Sequence, residues 1–191
     1  MAVPVVFPLR ACFIALPLEG QAREQYRKIQ ERLRPYEEIL RFQNAASVHL
    51  TLMYWPEVMA IEYGQIRSQL GKIAVRTSPF TMQVTGVGTF GSRGEDHVLF
   101  LDIAFSDVLA HLKKMCPWPN SKPFAPHITL ARVQHPQRFR VQKKVILKLL
   151  KDVEFPIPCD RLRLYAEVEG RKQTPLEDFV FGCAGPSLVV G

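Results

Sequence analysis

SVHLTLMYW (47–55) and HITLARV (127–133) share one four-residue pattern, His-aliphatic-Thr-Leu, with His49 and His127 standing 78 positions apart. Each pattern lies in a run rich in β-branched or aromatic residues whose apolar and polar positions alternate, which predicts a half-buried strand. Alternate side chains of a strand share a face. His49 and Thr51 therefore project together, opposite Val48, Leu50 and Leu52, and His127 and Thr129 project together, opposite Ile128 and Leu130. The same count puts Arg132 on the aliphatic side, from which only its length brings it back.

The surroundings repeat as well. ACFIALPL (11–18) reads as a buried strand ended by Pro17. Ala22, Tyr26, Ile29 and Leu33 then fall at helical spacing before Pro35, and the first motif follows. HVLFLDIAF (97–105) reads as a strand, and Ser106 caps a helix whose apolar face is Val108, Leu109, Leu112 and Met115. The Pro-rich segment CPWPNSKPFAP (116–126) leads into the second motif. A period this long excludes a solenoid unit and predicts a duplicated lobe. Ile66, Leu70 and Ile73 mark a further helix, and TMQVTGVGTF (81–90) a further strand. RFRVQKKVILKLLK (138–151) reads as an amphipathic helix with a solvated basic face. DRLRLYAEV (160–168) and EDFVFGCA (177–184) read as an antiparallel pair joined by a surface loop, EGRKQTPL (169–176). The prediction is one α+β domain over residues 1–191, bilobal and duplicated. Its antiparallel sheets surround a central groove, with helices packed outside.

Composition agrees with a globular chain: 47% of the 191 residues are hydrophobic and 23% charged. No apolar run nears the roughly 20 residues of a membrane-spanning helix, and MAVPVVFPLR (1–10) lacks a basic n-region, so a cytoplasmic protein away from membranes is expected. Cys12, Cys116, Cys159 and Cys183 form no CxxC pair and are followed by no histidine at ligand spacing, which favours reduced thiols over a zinc site. The net charge of +7 suits a polyanionic partner without requiring one.

The chemistry resides in the two His-Thr pairs. An imidazole titrates near neutrality, so one ring can be neutral while the other is charged. Two such rings across a groove supply the base and the acid that cleavage of a cyclic phosphodiester needs. Threonine hydroxyls can donate to the non-bridging oxygens. A histidine has an aliphatic-Thr-aliphatic tail by chance about 1% of the time, so two among five histidines argue for a built site. His97, His111 and His135 lack such a partner and read as surface residues. Tyr54, Trp55, Trp118 and Phe124 lie near the motifs and read first as core or loop-anchor packing; Trp118, in the Pro-rich loop, is the candidate platform for a stacked base.

HLTL (49–52) and PHITLAR (126–132) resemble the paired motifs of the two-histidine phosphoesterase superfamily. The nearest branch is the RNA 2′,3′-cyclic phosphodiesterases, historically called 2′-5′ RNA ligases. CFIALPL (12–18), VGTFG (87–91), VLFLDI (98–103) and LRLYAEV (162–168) resemble other strands of that branch, so the likeness covers nearly the whole chain. It implies hydrolysis of 2′,3′-cyclic phosphate to a 2′-phosphomonoester without metal or cofactor. His127 would activate water and His49 would protonate the 3′ oxygen, although a near-symmetric site reads either way. Thr51, Thr129 and Arg132 would hold the phosphate. The implied partners are RNA 3′ ends or small cyclic nucleotides, and a monomer is expected. MYWP (53–56) departs from the branch's usual Phe-Leu-Gly-like turn, and AEVEG (166–170) from its usual serine-containing strand. These departures leave substrate preference open. The alternatives are a phosphodiesterase for 2′-5′-linked oligonucleotides or another cyclic nucleotide, or a non-catalytic RNA-binding module.

Overall fold

A computed structural model describes residues 5–119, 123–182 and 187–188. Chain order is β1 (Leu9–Pro17), α1 (Gly20–Leu33), β2 (Leu40–Phe42), β3 (His49–Val58), α2 (Ala60–Val75), β4 (Phe80–Ser92) and β5 (Glu95–Ile103). Then come α3 (Asp107–Met115), β6 (His127–Val133), α4 (Pro136–Leu149), β7 (Phe155–Cys159), β8 (Arg161–Val168), β9 (Arg171–Val180) and β10 (Ser187–Leu188). The fold is α+β with two antiparallel sheets, ordered β10-β9-β8-β1-β3 and β2-β6-β5-β4-β7. The core β9-β8-β1-β3 of one sheet mirrors β7-β4-β5-β6 of the other, with each motif strand antiparallel to the strand that precedes its helix.

The helices form where apolar residues recur at helical spacing. In α1 the buried side is Ala22, Tyr26, Ile29 and Leu33, and in α2 it is Ile66, Leu70, Ile73 and Ala74. The Ser106 hydroxyl accepts from the Leu109 amide at the start of α3, which satisfies one otherwise unpaired helix N–H. In α4, Phe139 and Ile146 are buried and Lys143 pairs with Asp96 at 3.0 Å, while Lys144 and Lys148 are exposed. Among the described residues no helix is long and apolar enough to cross a membrane.

The connector 169–176 differs from the predicted loop. Glu169 and Gly170 both have positive φ, 50° and 75°, and Val168 pairs directly with Arg171. That is a two-residue hairpin of the mirror-image turn type, whose twist matches the flanking strands. The rest of the supposed loop is therefore the start of β9. The polar composition misled because this end of the hairpin is solvated. Of the predicted strand 177–184, residues up to Val180 belong to β9, and 183–184, including Cys183, lie outside the described residues. Cys12, Cys116 and Cys159 are buried and free, and burial pushes their thiols up to about 12, 11 and 12.

Both motif strands carry a β-bulge at the same place. Ile14 pairs with Met53 and Ala15 with Thr51, so Leu52 is an extra residue in β3. Leu99 pairs with Ala131 and Phe100 with Thr129, so Leu130 is the extra residue in β6. A bulge reverses the side-chain alternation beyond it. Leu52 and Met53 are accordingly both buried, as are Leu130 and Ala131. Arg132 thus returns to the face of His127 and Thr129 rather than staying with the aliphatic residues, and Tyr54 returns to the face of His49 and Thr51. The period-two count for Arg132 fails because one residue is inserted.

Each bulge is fastened by the helix of the other copy. From α1, the Tyr26 hydroxyl donates to the Thr129 carbonyl at 2.8 Å, and Gln30 Nε2 reaches the Leu130 carbonyl at 3.4 Å. From α3, Lys113 Nζ donates to the Leu52 carbonyl at 2.5 Å and lies 5.5 Å from the centre of the Phe124 ring, just before the second motif. A buried carbonyl without a donor costs about 1–3 kcal/mol, so these bonds hold the displaced backbone in register. Lys113 bears the burden of burial, which lowers its pKa.

Candidate active site

The two motif strands meet: β3 forms the edge of its sheet and packs against β6 of the other. Their aliphatic sides enter one common core, in which Leu50, Ile128 and Leu130 are fully buried. The opposite sides present His49, Thr51 and Tyr54 from one sheet and His127, Thr129 and Arg132 from the other. Thr51, Tyr54 and Arg132 are exposed, while His49, His127 and Thr129 are half-buried. The two imidazoles are near enough that the charge of His127 disfavours protonation of His49.

Both rings are anchored in the same way. His49 Nδ1 lies 2.5 Å from the Ser47 carbonyl and His127 Nδ1 lies 2.8 Å from the Ala125 carbonyl, each two residues upstream. A carbonyl can only accept, so Nδ1 carries the proton in each ring. Nε2 is then the atom left for proton transfer, as acceptor when neutral and donor when charged. Ser47 is itself held, its hydroxyl 2.7 Å from Gln173 Oε1 on β9.

Their aromatic settings differ. His49 stacks on Phe13 at 4.6 Å and 30°, and Phe13 stacks on Tyr165 at 4.7 Å and 9°. Phe13, Ala15 and Tyr165 make a small buried floor beneath it, separate from the main core. His127 instead meets Phe90 at 4.8 Å and 86° and Phe100 at 5.6 Å and 67°, both edge contacts. Burial on the aromatic floor pushes His49 down to about 4; the Ser47 carbonyl opposes this and the charge of His127 adds to it. At pH 7 His49 is therefore neutral.

A monoanion placed between the rings would favour the imidazolium of His49, so its binding is expected to be accompanied by proton uptake. Affinity for a non-hydrolysable cyclic phosphonate monoester, a monoanion throughout this range, is expected to rise as pH falls from 7 to 5, approaching about tenfold per unit per proton taken up. Calorimetry in buffers of different ionisation enthalpy checks this. An affinity that is flat or falls over that range would contradict the site electrostatics.

Trp118 is engaged in packing. Its ring packs edge-on against Trp55 at 5.1 Å and 87°, and Trp55 follows Tyr54 in β3 and points to the other side of the strand. The exposed aromatic that the fold does bring to the His-Thr side of β3 is Tyr54. His97, His111 and His135 are all exposed. Sequence reasoning missed Phe13, Tyr165, Phe90 and Phe100. Their only signal was an aromatic at an alternate position of a strand, which reads equally as core.

This pairing of two His-Thr strands on a duplicated α+β fold defines the two-histidine phosphoesterase class. The model of the 2′-5′ RNA ligase superfamily matches residues 17–171, and the chain belongs to that superfamily. A Geobacillus stearothermophilus protein named RNA 2′,3′-cyclic phosphodiesterase is 23% identical over 128 residues, 63% of this chain and 41% of the relative. The match thus spans about two-fifths of that relative's length. TT0787 of Thermus thermophilus has the same fold, with a TM-score of 0.69 and 22% identity over 90% of this chain and 98% of the other. So does E. coli LigT complexed with 3′-AMP, with a TM-score of 0.66 and 23% identity over 91% and 98% of the two chains.

Proposed function

We propose that the protein hydrolyses the 2′,3′-cyclic phosphate at an RNA end to a 2′-phosphomonoester by acid–base catalysis between His49 and His127, without a metal ion. The observation that carries this reading is the matched anchoring of the two rings, which leaves two Nε2 atoms free on facing strands. Binding alone needs no pair of titratable groups. The relative named RNA 2′,3′-cyclic phosphodiesterase and the LigT structures with 3′-AMP, ATP and NADP+ support a nucleotide phosphate as ligand.

In this reading His127 Nε2 takes a proton from water, whose oxygen attacks phosphorus. The bond from phosphorus to the 3′ oxygen breaks, and the leaving oxygen takes its proton from His49 Nε2. Thr51 and Thr129 donate to the non-bridging oxygens, where transition-state charge is held, and Arg132 adds positive charge beside them. His49, neutral at pH 7 by itself, acquires its proton with the substrate. The buried free thiols suit a reducing compartment such as the cytoplasm.

The test is incubation of the protein with an RNA ending in a 2′,3′-cyclic phosphate in the presence of EDTA. The expected product is the 2′-phosphate at an undiminished rate. A 3′-phosphate, or activity lost to the chelator and restored by a divalent cation, would overturn the reading.

A further inference from the structure

Beyond the motif, β2 places one more cation on the reactive side of the second sheet. Arg41 pairs directly across from Arg132, and Arg132 pairs across from Val98 as Thr129 does from Phe100. Residues directly opposite share a face, so Arg41, Arg132, Thr129 and His127 project together. The neighbours of Arg41 agree with that orientation: Leu40 is buried and Arg41 exposed, as Ala131 is buried and Arg132 exposed.

Like charges directly opposite destabilise a strand pair. Among the described residues neither guanidinium forms an ion pair with an acidic side chain, although ten other basic residues do. The two arginines are anchored on adjacent strands about 4.8 Å apart, so the positive charge that Arg132 places at the cyclic phosphate continues onto β2, where the Arg41 fork is left to grip a second phosphate. Arg41, opposite Arg132, stands three residues beyond Thr129 in the strand direction, roughly 10 Å from it. That is about the reach of one nucleotide.

Resting on the function proposed above, we infer that Arg41, next to Arg132 at the cyclic phosphate, binds the phosphodiester one nucleotide upstream of the cyclic end. The preferred substrate is then an oligoribonucleotide rather than a cyclic mononucleotide, which has no phosphate to place there. Arg41 is a specificity residue and takes no part in bond breaking.

The experiment compares uridine 2′,3′-cyclic phosphate with a trinucleotide ending in the same group, for the wild type, Arg41→Gln and Arg41→Lys. A hydrogen bond to a charged group corresponds to about tenfold or more in affinity. The wild type should therefore favour the trinucleotide by at least about tenfold in kcat/KM. Arg41→Gln should lose that advantage through KM, with the mononucleotide rate unchanged. Its salt dependence on the trinucleotide should flatten by about 0.7 in log–log slope, and Arg41→Lys should keep part of the preference. Equal losses on both substrates, or an intact preference in Arg41→Gln, would overturn the subsite. If the wild type cleaves neither substrate, the function fails by itself. The subsite is then judged by fluorescence anisotropy with a trinucleotide bearing a 2′-phosphate: weaker binding by Arg41→Gln supports it, and unchanged binding removes it.

Discussion

His49→Ala and His127→Ala are each expected to lower kcat on a cyclic-phosphate RNA end by at least about 100-fold, the contribution of a positioned general acid or base. KM should change far less, because in the proposed function Thr51, Thr129 and Arg132 still hold the phosphate. The fold should survive both changes. Both rings are only half-buried, and near-UV circular dichroism and a urea transition check this directly. A variant with wild-type turnover would remove that histidine from the chemistry. The roles can be separated with a substrate whose 3′ leaving atom is sulfur. A thiolate leaves without protonation, so the acid-deficient variant, His49→Ala in this account, should recover on it and His127→Ala should not.

The second large effect concerns the frame beneath His49. Arg163 lies on β8 opposite Ala15, two residues from Tyr165, and its guanidinium meets Asp178 at 2.5 and 2.8 Å. Arg161 reaches the same carboxylate at 3.0 Å, and Glu19 approaches Arg163 at 3.0 Å. Arg163 and Asp178 are 8% and 5% exposed. Removing one member of a buried pair strands the other and costs about 3–5 kcal/mol. Because Glu19 still faces Arg163, Asp178→Ala should fall near the lower end, about 3 kcal/mol, or roughly 6–12 °C in Tm for a chain of this length. Replacing both partners with apolar residues, Arg163→Met with Asp178→Leu, should restore much of the loss. A change of less than about 0.5 kcal/mol in the single variant would show that the pair contributes nothing to stability.

Much of this arrangement is legible in the chain. The alternation through 49–51 and 127–129 shows which side chains share a face, and the helical spacing of Ala22, Tyr26, Ile29 and Leu33 shows the buried side of α1. Both are local periodicities, and both are imposed by burial on one side only. The bulges escape such a reading, since their trace is just two consecutive apolar residues, Leu52-Met53 and Leu130-Ala131. Such a doublet also occurs at any strand buried on both faces. That single inserted residue decides where Arg132 and Tyr54 point. The clamps on the bulges are equally hidden. Tyr26 fits a core position, and Lys113 reads as a surface lysine until the fold brings its ammonium to the Leu52 carbonyl. The lowered pKa of His49 depends on Phe13 and Tyr165 from two other strands, and no local pattern connects them. The turn at Glu169-Gly170 lacks the Asn-Gly or Asp-Gly pair that marks such hairpins most strongly.

The central claim is that the two imidazoles act as one unit on a single phosphate, and the double variant tests it most directly. Residues that act together lose their contribution once, so effects within a catalytic unit are far from additive. kcat of His49→Ala/His127→Ala on the cyclic-phosphate RNA should lie within a few-fold of the slower single variant. If the two losses instead multiply in full, to about 10⁴-fold or more, the rings act independently and the account of a shared site is wrong.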